Sequence, residues 1–105
     1  MYARIVSGQF QLDKVDEGIA ICQSMERTWQ QQQGFQGADL LVDRTTGKGI
    51  SISNWATRAD LEATESSGWY QQQVAKFATV WMAPPVREIY EVAVQVEAAK
   101  AVGRA

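Results

Sequence analysis

No histidine occurs in this chain of 105 residues. Histidine is the commonest metal ligand in proteins and the usual general base near neutral pH. Its absence excludes Ser–His and Cys–His nucleophile pairs, and it excludes zinc or haem held by a histidine. Any catalysis therefore uses carboxylates, Tyr, Trp, Arg, Lys or the reactivity of the substrate itself. We expect no resident metal or organic cofactor.

Cysteine, basic charge and long apolar runs are also scarce. Cys22 is the single cysteine and cannot form an intramolecular disulfide, which is typical of a cytoplasmic protein in a reducing compartment. The 10 basic side chains do not outnumber the 12 acidic ones, so we expect no nucleic acid partner. The N-terminal residues lack the layout of a signal peptide, and no apolar run reaches the roughly 18 residues of a membrane span, so we expect no membrane contact.

The size and composition indicate one globular domain. Apolar residues make up 46% of the chain. A chain of this length buries roughly two thirds of its unfolded surface and folds without disulfides or metals. We expect residues 1–97 to form the domain. Residues 98–105 carry little that anchors them to a core, and we expect a frayed C-terminal tail there.

The stretch from Gly34 to Trp55 predicts a β-hairpin. Its two arms, residues 38–42 and 49–55, are runs of strand-forming and small residues. Between them lies the polar turn 43–48, in which Gly47 can adopt the left-handed conformation that such turns need.

Alternation and spacing predict a strand and a helix before the hairpin. Residues 2–10 alternate loosely, which indicates a first strand. Asp13 is placed to cap a helix that runs to about Gln33, and Gly34 ends that helix. Its apolar stripe recurs at steps of three and four: Val15, Ile19, Cys22, Met25 and Trp29.

After the hairpin, the pattern predicts two helical segments and a last strand. Residues 57–60 form a capping box, and the helix that they open breaks at 66–68. From Val86 the period changes to two and continues to Val96, which predicts the last strand. The second helical segment ends at Pro84 and carries its own stripe: Tyr70, Val74, Phe77 and Trp81.

The order strand, helix, hairpin, helical region, strand predicts an α+β fold. It is a ferredoxin-like split βαβ arrangement with a four-stranded antiparallel sheet and its helices on one face. The other face then exposes Ile50 and Ile52, or the valine row of the last strand, depending on register. Because an exposed apolar sheet face of this size usually marks an interface, we expect a homodimer that packs sheet against sheet.

Aromatic residues are the first candidates for a ligand site. Trp55, Trp69 and Tyr70 can line an aromatic pocket between sheet and helices and stack on a flat ligand. For any one of them, packing in the core is the commoner role. Ser51 and Ser53 share a strand face with Trp55 and can offer hydrogen bonds to a ligand, to water or to a neighbouring strand.

Charged and polar residues allow similar alternatives. Arg4 and Arg87 can hold an anion or a phenolate, while a surface or dimer salt bridge is the commoner role for such residues. The glutamine runs 30–33 and 71–73 are most simply solvated helix surface. Cys22 lies in the first helical stripe, where a small core residue is expected more often than a nucleophile.

The residues from Gly34 onward resemble a known family. Gly34-Phe35 followed by Gly37, then two strands ending in Trp55, then Thr57 and Asp60 opening a helix, is similar to the antibiotic biosynthesis monooxygenase domain. The resemblance covers roughly residues 2–97. It implies a dimeric α/β barrel of two ferredoxin-like protomers. Family members include cofactor-independent monooxygenases of aromatic polyketides and haem-degrading enzymes.

The resemblance also allows a residue-by-residue comparison. Trp55 matches a tryptophan of the polyketide monooxygenases, but their asparagine, tyrosine and arginine correspond to Ser51, Leu61 and Ala75 or Lys76. The asparagine, second tryptophan and histidine ligand of the haem-degrading branch correspond to Ser7, Thr64 and Val74. The present chain therefore keeps the tryptophan of the first branch and none of these residues of the second.

Two functions of different classes follow. One is a cofactor-independent monooxygenase, in which a bound phenol or hydroquinone loses a proton and reacts directly with oxygen. The other is a non-catalytic dimer on the same scaffold that binds a small molecule or serves a structural role. A proton acceptor inside the pocket is the feature that separates them, and the sequence contains no compelling one.

Overall fold

A computed structural model describes residues 1–99 of the chain. The strands are β1 (Tyr2–Gln9), β2 (Phe35–Val42), β3 (Lys48–Trp55) and β4 (Val86–Glu91). The helices are α1 (Val15–Ser24), α2 (Glu26–Gln30), α3 (Arg58–Ser66) and α4 (Trp69–Ala75), with a short 3-10 helix at Leu12–Lys14 before α1. No helix within residues 1–99 is long and apolar enough to cross a membrane.

The four strands form one antiparallel sheet in the order β2-β3-β1-β4. The predicted α+β, ferredoxin-like split βαβ fold is thus confirmed. Arg4 lies opposite Ser53, and Val6 lies opposite Ser51. Since residues that face each other across antiparallel strands point to the same side of the sheet, these four share the face that the helices cover.

The hairpin, the glycine in its turn and the glycine before it agree with the prediction from the sequence. The turn between β2 and β3 closes through the Asp43 N–H to the Lys48 carbonyl at 2.8 Å, and Gly47 has φ of 81°. Gly34, with φ of 78°, delivers the chain from the helical region into β2. The capping residue Thr57 is also where the sequence places it, because its hydroxyl accepts the Asp60 N–H at 3.0 Å.

The first helical region differs from the prediction in two ways. Asp13 does not cap α1: it lies inside the 3-10 helix, whose chain continues directly into α1. The region is two helices and not one, because the chain turns at Met25, whose N–H bonds to the Cys22 carbonyl at 3.0 Å. The neighbouring Ser24 hydroxyl donates to the Ile21 carbonyl, a local bond that competes with the helical pattern.

The second helical region is shorter than predicted. α4 ends at Ala75, and residues 76–80 form turns and not a helix that reaches Pro84. The cause is the end of β1: the Gln11 N–H bonds to the Val80 carbonyl, and the Met82 N–H bonds to the Gln9 carbonyl. Phe10 also stacks on Trp81, with ring centroids 4.1 Å apart. These non-local contacts draw the segment out of helix.

The last strand is also shorter than its sequence alternation. β4 ends at Glu91, although the period of two continues to Val96. Its partner in the sheet is β1, which begins at Tyr2, and the Val92 N–H makes the last bond, to the Met1 carbonyl. Beyond that point β1 offers no backbone to pair with, so Val94 and Val96 are 79% and 87% exposed. Residues 98 and 99 of the expected tail have no regular structure, and residues 100–105 lie outside the described residues.

The core lies between the sheet and the helices, with Phe10 at one end. Phe10 is fully buried and packs with Val15 and Val80. A Cβ atom at Gly18 or at Gly49 would lie 2.5 Å from the Phe10 ring. Glycine in α1 and in β3 therefore makes room for this ring.

The opposite face of the sheet carries no helix in the part of the chain that the structure describes. Its larger apolar side chains come from all four strands and are half-buried or exposed: Ile5, Leu41, Ile50, Ile52, Val86 and Tyr90. The expectation that Ile50 and Ile52 lie on the uncovered face is therefore confirmed, whereas the valine row beyond β4 is not part of the sheet.

Candidate functional site

A cavity of about 60 Å³ lies between the helix-covered face of the sheet and the helices. Its walls are largely apolar and aromatic, with a few polar groups among them. The lining residues come from the strands (Arg4, Val6, Leu40, Ser51 and Ser53), from the residue after β1 (Phe10), from α1, Met25 and α2 (Cys22, Met25 and Trp29), from α4 (Trp69, Tyr70, Gln73 and Val74) and from the segment after it (Phe77, Trp81 and Pro85).

Arg4 is the one charged side chain among these lining residues, and it is only 3% exposed. β1 points it inward, where its Nη1 donates to the Thr64 hydroxyl at 2.8 Å and to Glu65 Oε2 at 3.2 Å. The guanidinium carbon lies 4.2 Å from the centre of the Tyr70 ring and 5.5 Å from that of Trp55. Burial lowers the pKa of Arg4 and the Glu65 carboxylate opposes this, yet an arginine remains a cation at any physiological pH.

Glu65 joins Arg4 to a second arginine at the rim. Arg87 donates through Nε and Nη2 to the two carboxylate oxygens, a bidentate contact. Partial burial raises the pKa of Glu65, but hydrogen bonds from Arg87 and Arg4 outweigh it and hold the pKa below its ordinary value. Of the two roles that the sequence allows for Arg87, anion binding and a salt bridge, the structure shows the salt bridge. With two cations and one anion, the cluster keeps a net positive charge beside the cavity.

Tyr70 is the cavity-lining phenol whose ring lies over Arg4. α4 begins at Trp69, after Gly68 with φ of 85°, and this sharp entry lays the Tyr70 ring over the guanidinium. Burial raises the pKa of Tyr70, and the nearby arginines only partly offset this. The phenol therefore keeps its proton at neutral pH and is a weak general base.

The remaining sequence candidates fall in different places. Ser51, Ser53 and Trp69 line the cavity together with Arg4 and Tyr70. Ser53 is engaged internally, because its hydroxyl accepts the Trp55 indole N–H at 3.0 Å. Trp55 was predicted to line the pocket, but it is fully buried and is not among the lining residues. It packs edge-on against Phe35 and against Trp69, which does line the cavity.

Two polar residues of the cavity, Trp29 and Gln73, were not predicted as site residues. Gln73 is 7% exposed, although its glutamine run predicts solvated surface. It lies three residues after Tyr70 and four before Phe77, and this spacing within the apolar stripe was the signal that sequence reasoning missed. The Gln73 Oε1 and Trp29 Nε1 atoms are buried, with no hydrogen-bond partner among residues 1–99.

Cys22 also reaches the cavity but is not activated. Burial raises the pKa of its thiol, which leaves the nucleophilic thiolate disfavoured. Residues 1–99 contain no group of three or more His, Cys, Asp or Glu side chains placed to hold a metal ion.

The fold is shared with solved structures of low sequence identity. A Nitrosomonas europaea protein, provisionally named an antibiotic biosynthesis monooxygenase, is 19% identical with a TM-score of 0.74, covering 90% of this chain and 100% of its own. A similarly named Bordetella bronchiseptica protein is 14% identical with a TM-score of 0.76, covering 89% and 97%. The haem degrader MhuD of Mycobacterium tuberculosis, solved with two haems in its active site, is 13% identical with a TM-score of 0.75, covering 92% and 100%.

No family model matches the sequence, and no curated protein does. The sheet order, the helices on one face and these structural similarities together establish an antibiotic-biosynthesis-monooxygenase-like fold. At such low identities the similarity shows the fold alone, and the activity has to be inferred from the cavity itself.

Proposed function

We propose that this protein is a cofactor-independent monooxygenase of a small, electron-rich aromatic compound that binds in the cavity. The observation that carries the proposal is the buried guanidinium of Arg4 within an aromatic and apolar wall. A cation in a water-poor site stabilises a phenolate much more strongly than the same cation does in water. A phenolate is also the form of a phenol that gives electrons to oxygen.

The chemistry places few demands on the protein. The bound phenol loses its proton to solvent, and the phenolate formed beside Arg4 passes an electron to O2. The two radicals join at a ring carbon that carries a hydrogen, and the resulting hydroperoxide loses water to leave a carbonyl. Overall, a phenol and O2 give a quinone and water, so all electrons come from the substrate. Arg4 binds the anion, and the apolar walls keep water from the intermediates.

The size of the cavity limits the substrate. Its volume of about 60 Å³ is below the roughly 150 Å³ of an engineered cavity that holds benzene. Even a one-ring compound therefore requires some side-chain movement, and a multi-ring polyketide requires much more. We infer a one-ring phenol or hydroquinone.

Oxygen uptake tests this proposal. The protein is incubated with hydroquinone, catechol and related phenols, and uptake is compared with the rate in buffer alone. We expect uptake above that rate and transfer of one atom of isotopically labelled O2 into the product. Arg4→Met should abolish the excess uptake. Formation of hydrogen peroxide with no label in the product would contradict the oxygenation.

The variants for this experiment have to leave the fold intact. Since Trp55 is fully buried, Trp55→Ala would cost about 3–5 kcal/mol of stability, and a loss of oxygen uptake could then come from unfolding. Glu62→Gln is a better control, because the Arg58–Glu62 pair is exposed and forms no part of the cavity. It should leave the oxygen uptake unchanged.

A second candidate function is ligand binding without catalysis. The observation that favours it is the lack of an efficient proton acceptor beside Arg4: Tyr70 has a raised pKa and stays protonated, and Glu65 has a lowered pKa and already accepts hydrogen bonds from Arg4 and Arg87. Under this alternative the phenols bind, as calorimetry would show, while oxygen uptake stays at the buffer rate.

Haem is a different case, because the residues here do not fit it. The chain has no histidine, Val74 offers no ligand atom, and Ser7 lies in register with Ile50 on the sheet face away from the cavity. Thr64 is buried and bonded to Arg4. We predict no specific haem binding: a Soret band that shifts at stoichiometric protein would contradict this, whereas weak, non-saturating changes would not.

We also propose that the uncovered sheet face mediates a homodimer. Its support is the set of half-buried or exposed apolar side chains, among them Leu41 and Tyr90, which are 50% and 52% exposed. Removing such a patch from water favours association. The cavity lies on the opposite face of the sheet, so each protomer carries its own.

A further inference from the structure

We propose that Trp29 and Gln73 form a second polar anchor in the cavity, and that this anchor binds a neutral hydroxyl group of the substrate. The substrate is then a dihydroxyaromatic: one oxygen becomes the phenolate beside Arg4 and the other stays protonated at Trp29 and Gln73. This inference rests on the proposed function, because it assigns the substrate class of that same cavity.

The unpartnered atoms are the first observation. Trp29 Nε1 and Gln73 Oε1 are the buried side-chain nitrogen and oxygen atoms within residues 1–99 that lack a hydrogen-bond partner. Both residues line the cavity. Buried polar groups in folded proteins nearly always have a partner, so two exceptions on residues that line the same cavity point to a partner that binds there.

The indole N–H groups of two neighbouring tryptophans differ from that of Trp29. The Trp69 indole N–H donates to the Thr28 hydroxyl at 2.9 Å, and the Trp55 indole N–H donates to the Ser53 hydroxyl at 3.0 Å. Each of these two tryptophans therefore has a hydroxyl partner supplied by the protein. Trp29 has none, although its ring packs against Phe35 at a centroid distance of 6.1 Å.

The chemistry of the two atoms selects the ligand group. The indole N–H of Trp29 needs an acceptor, and the amide oxygen of Gln73 needs a donor. A hydroxyl group supplies both at one oxygen atom, whereas a phenolate, an ether or a carboxylate supplies acceptors only. The oxygen that binds here is thus un-ionised, unlike the one beside Arg4.

The position of Gln73 on α4 relates the two anchors. Gln73 follows Tyr70 by three residues, so the two side chains lie on the same helix face one turn apart. Tyr70 covers the Arg4 guanidinium at 4.2 Å. The part of the cavity wall beside Arg4 and the part beside Gln73 are therefore about one turn apart along α4. A single aromatic ring with two oxygens would place one oxygen beside Arg4 and the other beside Gln73.

The first test measures the ligand-free protein. If Gln73 Oε1 is unsatisfied until a ligand binds, Gln73→Leu removes an unsatisfied buried group from the ligand-free protein. The substitution should then raise the melting temperature by a few degrees. Gln72→Leu is the matched control, because Gln72 is the exposed neighbour on the same helix, and it should change the melting temperature little. A lower melting temperature for Gln73→Leu alone would show that Gln73 serves the fold, and would overturn the inference.

The second test measures binding under anaerobic conditions by calorimetry, with hydroquinone and phenol as probes. The protein should bind hydroquinone at least ten times more tightly than phenol, because phenol leaves the second anchor empty. Gln73→Leu and Trp29→Phe should bring this ratio close to one, while Gln72→Leu should keep it. An unchanged ratio in Gln73→Leu, or equal binding of the two probes to the unaltered protein, would overturn the inference.

The two proposals fail in different ways. If hydroquinone binds through Gln73 but oxygen uptake stays at the buffer rate, the oxygenase proposal fails and the anchor stands. If hydroquinone is oxidised at the same rate by Gln73→Leu and by the unaltered protein, the anchor fails and the oxygenase stands.

Discussion

At the scale of single residues, Glu65 decides whether a cation can stay buried in this protein. It bonds to Arg4, which is 3% exposed, and to Arg87, which is 39% exposed. Removing one partner of a buried ion pair costs far more than removing a surface pair, because the remaining charge has lost its compensation. The ligand site and the stability of the fold thus depend on the same carboxylate.

Glu65→Gln should lower the free energy of unfolding by about 3 kcal/mol at neutral pH. The reason is that Arg4 keeps its charge and loses the anion beside it. The matched control, Glu62→Gln, removes an exposed pair and should change the free energy of unfolding much less. Urea unfolding of the three proteins measures both changes, and equal effects of the two substitutions would contradict this account.

The same residue predicts a dependence on pH. The pKa of Glu65 is lower in the folded protein than in the unfolded chain, so its contribution is complete above the unfolded value of about 4.3 and is lost as pH falls through the folded value. The difference in unfolding free energy between the unaltered protein and Glu65→Gln should therefore be constant above about pH 5 and narrow below it. A difference that grows on acidification would be inconsistent with a lowered pKa.

At the scale of elements, two glycines with the same backbone conformation are held by different surroundings. Gly47 in the hairpin turn has φ of 81°, and Gly68 before α4 has φ of 85°. A Cβ at Gly47 would lie 2.6 Å from the Phe10 carbonyl oxygen, whereas a Cβ at Gly68 meets nothing within 4 Å. The hairpin turn is therefore locked against the end of β1, and the turn before α4 is open.

Alanine substitutions should separate backbone strain from the clash. Gly68→Ala should cost about 1–2 kcal/mol, which is the penalty for a side chain in left-handed backbone. Gly47→Ala should cost about 1–3 kcal/mol more, because backbone atoms have to move as well. Thermal or urea unfolding measures the two values. A cost for Gly68→Ala equal to that for Gly47→Ala would mean that the clash with Phe10 relaxes freely.

At the scale of the whole molecule, the two faces of the sheet have different roles. One face is covered by the helices and contains the cavity, and the other carries the apolar patch of the proposed homodimer. Arg4 and Ile5 are adjacent in the chain, yet they lie on opposite faces because successive strand residues alternate. Changes on the uncovered face should therefore alter assembly and leave the cavity in place.

Leu41→Asp should weaken the homodimer at least tenfold without unfolding the protomer. Leu41 is 50% exposed, so a carboxylate there stays solvated in the monomer, but a sheet-to-sheet interface would bury it. Leu12→Asp is the control: Leu12 is 62% exposed and lies outside the sheet. Sedimentation across micromolar concentrations measures the equilibrium. A stable monomer for the unaltered protein, or equal effects of both variants, would contradict the proposed interface.

Where local pattern and local chemistry act alone, the sequence was sufficient. The hairpin with Gly47 in its turn, the Thr57 cap and the alternating faces of β1 all depend on residues within a few positions of one another. The order of these elements then led to the ferredoxin-like sheet, because few topologies connect them with short chain segments. Arg4, Ser51, Ser53, Trp69 and Tyr70 were also selected from the sequence, and the fold brings them to one cavity.

Contacts between distant segments decided the rest. β4 stops at Glu91 because its partner strand begins at Tyr2, and α4 stops at Ala75 because the end of β1 pairs with the following segment. The glutamine run is a second case in which the sequence was not sufficient: Gln72 is exposed and Gln73 is buried. The rotation of α4 against the sheet determines that Gln72 faces solvent and that Gln73 lines the cavity. A one-dimensional pattern contains the period of a helix, but its rotation against the sheet is set only when the side chains pack.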